Sequence, residues 1–321
     1  MRYDVLALLV AERCNFRCDH CCTESDGNAT GTLSLDDALR AIDQAAAIPS
    51  MHEVALTGGE PFLDRTRLQT IVRHAHARGL SVSVTTNGYW ARDPEHAARL
   101  LRALQDDGLR CISISVSQFH LPFTSAERLR CAAEAAWNVG LTTRINCIYT
   151  NSFTVDDATS LFGELAAKLE VVAIPCIPAG RAALAVAPAD FPVRADAVQG
   201  SCAKHFTKLA VSTTGDVYPC CSPGGFTEAL RLGNICRDDV STLHERAERS
   251  TLLRTLNDVG PEFFMPFVAE QLRHDALVGP FVDQCHLCHT ILSDDRMRAI
   301  AVDAAERLHH DLSIDTASAS S

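Results

Sequence analysis

The chain has 321 residues, 47% of them hydrophobic, and a formal net charge of -11 at pH 7, which is enough apolar material for one large domain and a smaller one. The acidic balance argues against a duplex nucleic-acid binder or an anionic membrane-surface binder, both of which need an excess of Lys and Arg. The apolar start Val5 to Val10 is too short for a signal-peptide core or a membrane span, so a cytoplasmic protein without a membrane partner is expected, its fourteen Cys serving as metal ligands or redox groups rather than disulfides.

From residue 4 to 176, strand-length apolar runs alternate with helical patterns. The predicted strands are Asp4 to Val10, Glu53 to Thr57, Leu80 to Thr85, Arg110 to Val116, Leu141 to Tyr149 and Val171 to Cys176. Ser34 with Asp37, Thr124 with Glu127 and Thr154 with Asp157 fit capping boxes, and Asp93-Pro94 fits an N-cap followed by a first turn. Gly79, Gly108 and Gly140 stand where helices should stop. Six parallel strands are too few for a closed eight-stranded barrel, leaving an open doubly wound sheet or a partial barrel. The Ala- and Pro-rich stretch Pro178 to Pro192 reads as a linker, after which Lys208 to Val211 and Asp216 to Pro219 flank Thr214-Gly215 as a short hairpin. Helices are expected from about Val240 to Leu256 and from Asp294 to His309, followed by a disordered tail. The predicted boundaries are a core at 1–190, a smaller domain at 191–310 and a tail at 311–321.

The first strand runs into Cys14-Asn15-Phe16-Arg17-Cys18-Asp19-His20-Cys21, on a loop at the end of the strand where parallel βα folds place their active sites. Three thiolates at these spacings suit one face of an iron-sulfur cube and leave one iron open. For the triplet alone, a zinc knuckle completed by His20 or Cys22 is the alternative. The second strand ends in Thr57-Gly58-Gly59-Glu60-Pro61, whose two glycines permit close backbone approach to a ligand.

These two motifs, one βα unit apart, resemble the signature of the radical S-adenosylmethionine (SAM) superfamily. The resemblance implies a partial (βα)6 barrel with a smaller C-terminal α+β domain, and a four-iron four-sulfur cluster held by Cys14, Cys18 and Cys21 whose open iron chelates the methionine part of SAM. It further implies SAM contacts at Gly58, Gly59, Glu60 and Pro61, at Asn87 of Thr86-Asn87-Gly88, at Ser115 and at Arg144, the last as partner of the SAM carboxylate. The stretch Ser115-Val116-Ser117-Gln118 lacks the acidic residue customary in the family.

Cys202, Cys220, Cys285 and Cys288 supply four further thiolates, and four close a complete cluster. With Leu232-Gly233-Asn234-Ile235 and Pro178-Ala179-Gly180-Arg181-Ala182 they resemble the auxiliary-cluster extension of this superfamily. No Cys follows Cys288, so the resemblance is to the one-cluster twitch form of the SPASM domain. A four-Cys zinc site and a c-haem attachment at Cys285 to His289 are the competing readings. Cys22 adjoins a ligand, and Cys111, Cys131, Cys147 and Cys176 fall where a Cys is usually a small hydrophobe. Cys236 and Cys221 are candidate hydrogen-atom donors, as in related epimerases.

The activity so implied is reductive SAM cleavage and hydrogen abstraction from a substrate carbon. The first substrate reading is a ribosomally made peptide undergoing crosslinking or epimerisation; the second is a small polar molecule such as an amino sugar. A non-enzymatic electron carrier or zinc-stapled interaction protein is the reading from another class. The implied partners are an external electron donor such as flavodoxin or ferredoxin and, because the first strand begins at Asp4, a separate leader-peptide-binding protein.

Overall fold

Strand β1 (Val5–Leu9) consists of five buried apolar residues, a pattern that requires cover on both faces. A computed structural model describes residues 2–194, 198–203, 206–272, 277 and 279–318, with backbone alone for 311–318. Along the chain β1 is followed by α1 (Leu35–Ala46), β2 (Glu53–Thr57), α2 (Arg65–Ala77), β3 (Ser81–Thr86), α3 (Pro94–Asp106), β4 (Leu109–Val116), α4 (Ala126–Val139), β5 (Thr142–Tyr149), α5 (Val155–Ser160) and β6 (Glu170–Pro175). All six strands are parallel, in the order 6-5-4-3-2-1, and fall on the six predicted runs.

The sheet is not closed, and helices α1 to α4 cover its outer face. Ala38, Ile42, Leu101, Leu104, Leu129 and Ala136 are all buried there. The inner face is mixed, with Thr85, Ser115 and Asn146 lining a cavity together with Leu9, Ile148 and Ile174. The helix starts at Ser34, Asp93 and Thr154 form as expected, the last with both halves of its capping box. At the fourth helix the cap is Ser125 rather than Thr124, Ser125 Oγ accepting from Arg128 N at 3.3 Å.

The remaining elements are α6 (Ala182–Ala185), β7 (Lys208–Val211), β8 (Asp216–Tyr218), β9 (Gly233–Asn234), α7 (Val240–Arg249), α8 (Thr251–Asp258), α9 (Met265–Leu272), α10 (Gln284–Ser293) and α11 (Asp295–Ser318). The predicted hairpin is β7 and β8, and β7 lies parallel beside β1, with Val5 opposite Lys208 and Leu8 opposite Val211. The second region therefore extends the first region's sheet, and β1 has neighbours on both edges. The single helix expected from Val240 to Leu256 is two, because Ser250 is extended and its Oγ accepts from Leu253 N at 3.3 Å to start the second. Helix α11 runs through 311–318, where a disordered tail is expected; no Gly or Pro interrupts it, and 319–321 lie outside the described residues. Among the described residues no helix is long and apolar enough to cross a membrane.

Trp90 locks the ends of β2 and β3 together. It is 1% exposed, stacks on Phe62 with ring centroids 4.9 Å apart, and donates from Nε1 to Thr86 Oγ1 at 3.0 Å. Trp90→Ala is expected to cost about 3–5 kcal/mol in urea unfolding of the apoprotein, through the cavity left and the lost hydrogen bond.

Candidate functional site

Beyond β1 the chain makes isolated bridges from Ala11 to Thr32 and from Arg13 to Asp26, and Cys14 N donates to Asp26 O at 2.9 Å. The segment from Cys14 to Asp26 is thus a loop stapled at its base. The end of β2 presses directly on that base: Gly59 N donates to Ala11 O at 2.5 Å and Glu60 N to Arg13 O at 3.0 Å. A Cβ on Gly59 would stand 2.1 Å from Arg13 O, and Gly58 has φ +127, so neither position accepts a side chain.

Glu60 points inward, 1% exposed. Its Oε1 accepts from Phe62 N at 3.0 Å and Thr86 Oγ1 at 2.8 Å, and its Oε2 from Asn87 N at 2.7 Å. Burial pushes its carboxyl up to about 7, against these three donors. Glu60, expected as a SAM contact, ties the turn after β2 to the turn after β3. Asn87 extends from that tie to the Cys loop, its Nδ2 donating to Asn15 Oδ1 at 3.1 Å and to Cys14 Sγ at 3.7 Å.

Above these turns lies a cavity of about 270 Å³ lined by Cys14, Cys18, Cys21, Gly58, Gly59 and Asn87. Ser115 of β4 and Asn146 of β5 line it from the barrel side. Arg144 does not: it lies one inward-facing position below Asn146, and its Nε is 2.6 Å from Glu170 Oε2 of β6. Pro61 is buried at the start of a short 3-10 turn, also outside the lining. Phe16, His20 and His120 wall one side, His20 stacking on Phe119 with centroids 5.1 Å apart and meeting His120 edge-on at 4.9 Å. Burial pushes both imidazoles down, His120 to about 4 with its Nδ1 2.7 Å from Ser117 Oγ. Asn146 and His120 carry no motif and were not legible from spacing.

The second region also reaches the cavity, through Cys221 and Phe226. Cys236 does not, its Sγ lying 3.6 Å from Asp37 Oδ2 on α1. Cys202, Cys220, Cys285 and Cys288 line a separate small cavity, the last two brought by α10. Gly225 lies against them, where a Cβ would be 2.4 Å from Cys220 Sγ.

The sequence pattern of the radical SAM superfamily matches residues 8–120, and that of SPASM, an iron-sulfur cluster-binding domain, matches 202–261. The chain is similar to YydG of Bacillus subtilis (strain 168), a candidate peptide biosynthesis protein, at 20% identity over 287 residues, 88% of this chain and 89% of that one. It is 29% identical over 159 residues to GTP 3',8-cyclase of Aliarcobacter butzleri (strain RM4018), covering 46% of this chain and 47% of the cyclase. Among solved structures it superposes on anSMEcpe with bound AdoMet and Cp18Cys peptide at TM-score 0.57 and 15% identity, over 94% of this chain and 99% of that one.

The residues fit SAM and two four-iron four-sulfur clusters, the cofactors of those families. Burial pushes the Cys14 thiol up to about 11 and those of Cys202, Cys220 and Cys285 to about 12, with Cys18 and Cys288 raised further. Such buried thiols ionise on meeting a cation, so cluster binding here releases protons. Two segregated sets, three thiols lining a cavity of about 270 Å³ and four lining one of about 20 Å³, match one cluster with a free iron beside room for a ligand and one fully ligated. Gly59→Ala is expected to displace Arg13 and the Cys loop, lowering reconstituted iron from about eight to about four per chain by iron and sulfide analysis.

Proposed function

The chain belongs to the radical SAM superfamily, in the subgroup with a C-terminal SPASM/twitch auxiliary cluster, and from that membership we propose that it epimerises a residue of a ribosomally made peptide. Cys14, Cys18 and Cys21 would hold the first cluster with one iron open to SAM, and SAM bound there would supply the one-electron chemistry that removes a hydrogen atom from a substrate carbon. The bare backbone of Gly58 and Gly59 leaves room for the amino group of SAM, and Asn87, Ser115 and Asn146 offer it polar contacts. The wall of Phe16, His20, Phe119 and His120 keeps water from the reacting carbon.

The observation that carries the reading is the place of Cys221. It lines the same cavity as the first three thiols, from the opposite region of the chain, and is not one of the four auxiliary ligands. Its S–H gives a hydrogen atom to the substrate radical on the face opposite abstraction, leaving the peptide's composition unchanged and its centre inverted. One electron and one proton from a carrier of the flavodoxin or ferredoxin class then restore the thiol. Cys236, bonded to Asp37 away from the cavity, is unsuited to that step. Likeness to YydG along nearly all of both chains supports the peptide class.

The test uses a synthetic peptide from a short reading frame beside the gene, incubated with reconstituted enzyme, SAM and dithionite in D2O. Wild type is expected to place one deuterium at an α-carbon and yield the D-residue. Cys221→Ala is expected to keep SAM cleavage while deuterium uptake falls by about 100-fold or more, and Cys236→Ala to leave both unchanged. A product lighter by two hydrogens would replace epimerisation with crosslinking.

A further inference from the structure

The linker after β6 grips the first Cys loop from behind. Arg181 N donates to Cys21 O at 3.1 Å, its Nε to Cys18 O at 3.0 Å, and its two terminal nitrogens to Glu24 O at 2.8 Å and Ser25 O at 2.7 Å. Four donors of one residue thus take four carbonyls of the loop that carries the cluster ligands. Among the described residues Glu24 is the non-glycine residue with positive φ, +53, a strained backbone that persists only when its surroundings hold it. Beside it Gly180, φ +57, comes so close that a Cβ would stand 2.6 Å from Cys22 O. The grip is itself anchored: Cys176, Ile177, Ala179, Ala182 and Val186 form a small buried core with Val282, against which Cys285 packs.

A peptide group points its C=O and the next residue's N–H in opposite directions. With the carbonyls of Cys18, Glu24 and Ser25 turned onto the guanidinium and that of Cys21 onto the backbone N–H of Arg181, the N–H groups of Asp19, Cys22, Ser25 and Asp26 are turned away from Arg181. Cys22 and Ser25 line the cavity that Cys18 and Cys21 share, whereas Arg181 does not. Amide N–H groups and a fixed positive charge near cluster sulfurs favour the more negative, reduced form.

We propose that Arg181 is a positioning residue for the first cluster: its fork fixes the ligand loop, and its charge and the dipoles it orients raise that cluster's reduction potential. The assignment is independent of the substrate and so stands or falls apart from the epimerase reading. Guanidinium is required because a Lys ammonium cannot match the fork.

The experiment is an EPR-monitored redox titration of reconstituted wild type, Arg181→Lys and Arg181→Ala, with iron release to a chelator followed in parallel. In Arg181→Ala the first cluster's reduction equilibrium is expected to shift about tenfold toward the oxidised form, about 59 mV lower, with the auxiliary cluster unmoved. Arg181→Lys is expected to keep most of the potential but to lose iron from the first site about tenfold faster than wild type. Added guanidinium ion is expected to slow that loss in Arg181→Ala. If Arg181→Ala fails to fold, Arg181→Lys alone decides through its iron release. Wild-type potential and wild-type iron release in the folded variants, or an equal shift at both clusters, would overturn the proposal.

Discussion

The contact on which the site depends is the close approach of two stretches of bare backbone, Gly58-Gly59 at the end of β2 and Ala11 to Arg13 beyond β1. Parallel pairing brings the two strand ends side by side. Two backbone hydrogen bonds then join the turns, with no side chain between them. Everything with chemical content hangs from this junction: the Cys loop springs from Arg13, and Glu60 carries the connection on to Asn87, which reaches back to Cys14. A buried carboxylate serving three protein donors is an expensive way to hold two turns, and its cost is offset only while all three donors stay in place.

Burial sorts the fourteen thiols by task. Burial holds the thiols of Cys14 and Cys18 in the first cradle and of Cys202, Cys220, Cys285 and Cys288 in the second neutral until a cation arrives, so those positions do not bear mutually repelling thiolates in a low-dielectric interior. Cys147, at 0% exposure in the main core, fills space. Cys221 is the exposed thiol on the cavity wall, and Thr85, Ser115 and Asn146 of the barrel's inner face line the same cavity.

The alternation of apolar strands and capped helices is enough to place the six parallel strands, because each buried strand needs its own covering helix and each helix its own start and stop signal. The Cys spacings likewise bring the seven expected ligands together as three and four. What pattern reading misses is non-local. Nothing in Lys208 to Val211 says that it pairs with Val5 to Leu8, and nothing in Arg181 says that it bonds four carbonyls more than 150 positions earlier, as with Ser25 at a separation of 156. Arg144 shows the complementary failure: it occupies the right strand and face, but Glu170 on the neighbouring strand holds it below the cavity. Glu60 has the motif's residue, yet the turn of β3 claims both its oxygens.

The seat of β7 beside β1 bears on the order in which the molecule is made. Val5 leaves the ribosome some two hundred residues before Lys208, its partner across the sheet. During that interval β1, apolar at every position, has β2 on one edge and a bare ladder of amides and carbonyls on the other. A nascent chain in that condition is open to pairing with the wrong strand, and closing so long a loop is slow compared with forming local βα units. Emergence of residues 208–211 is thus the event that retires the hazard, and synthesis of the auxiliary region acts as the finishing step of the barrel's own folding.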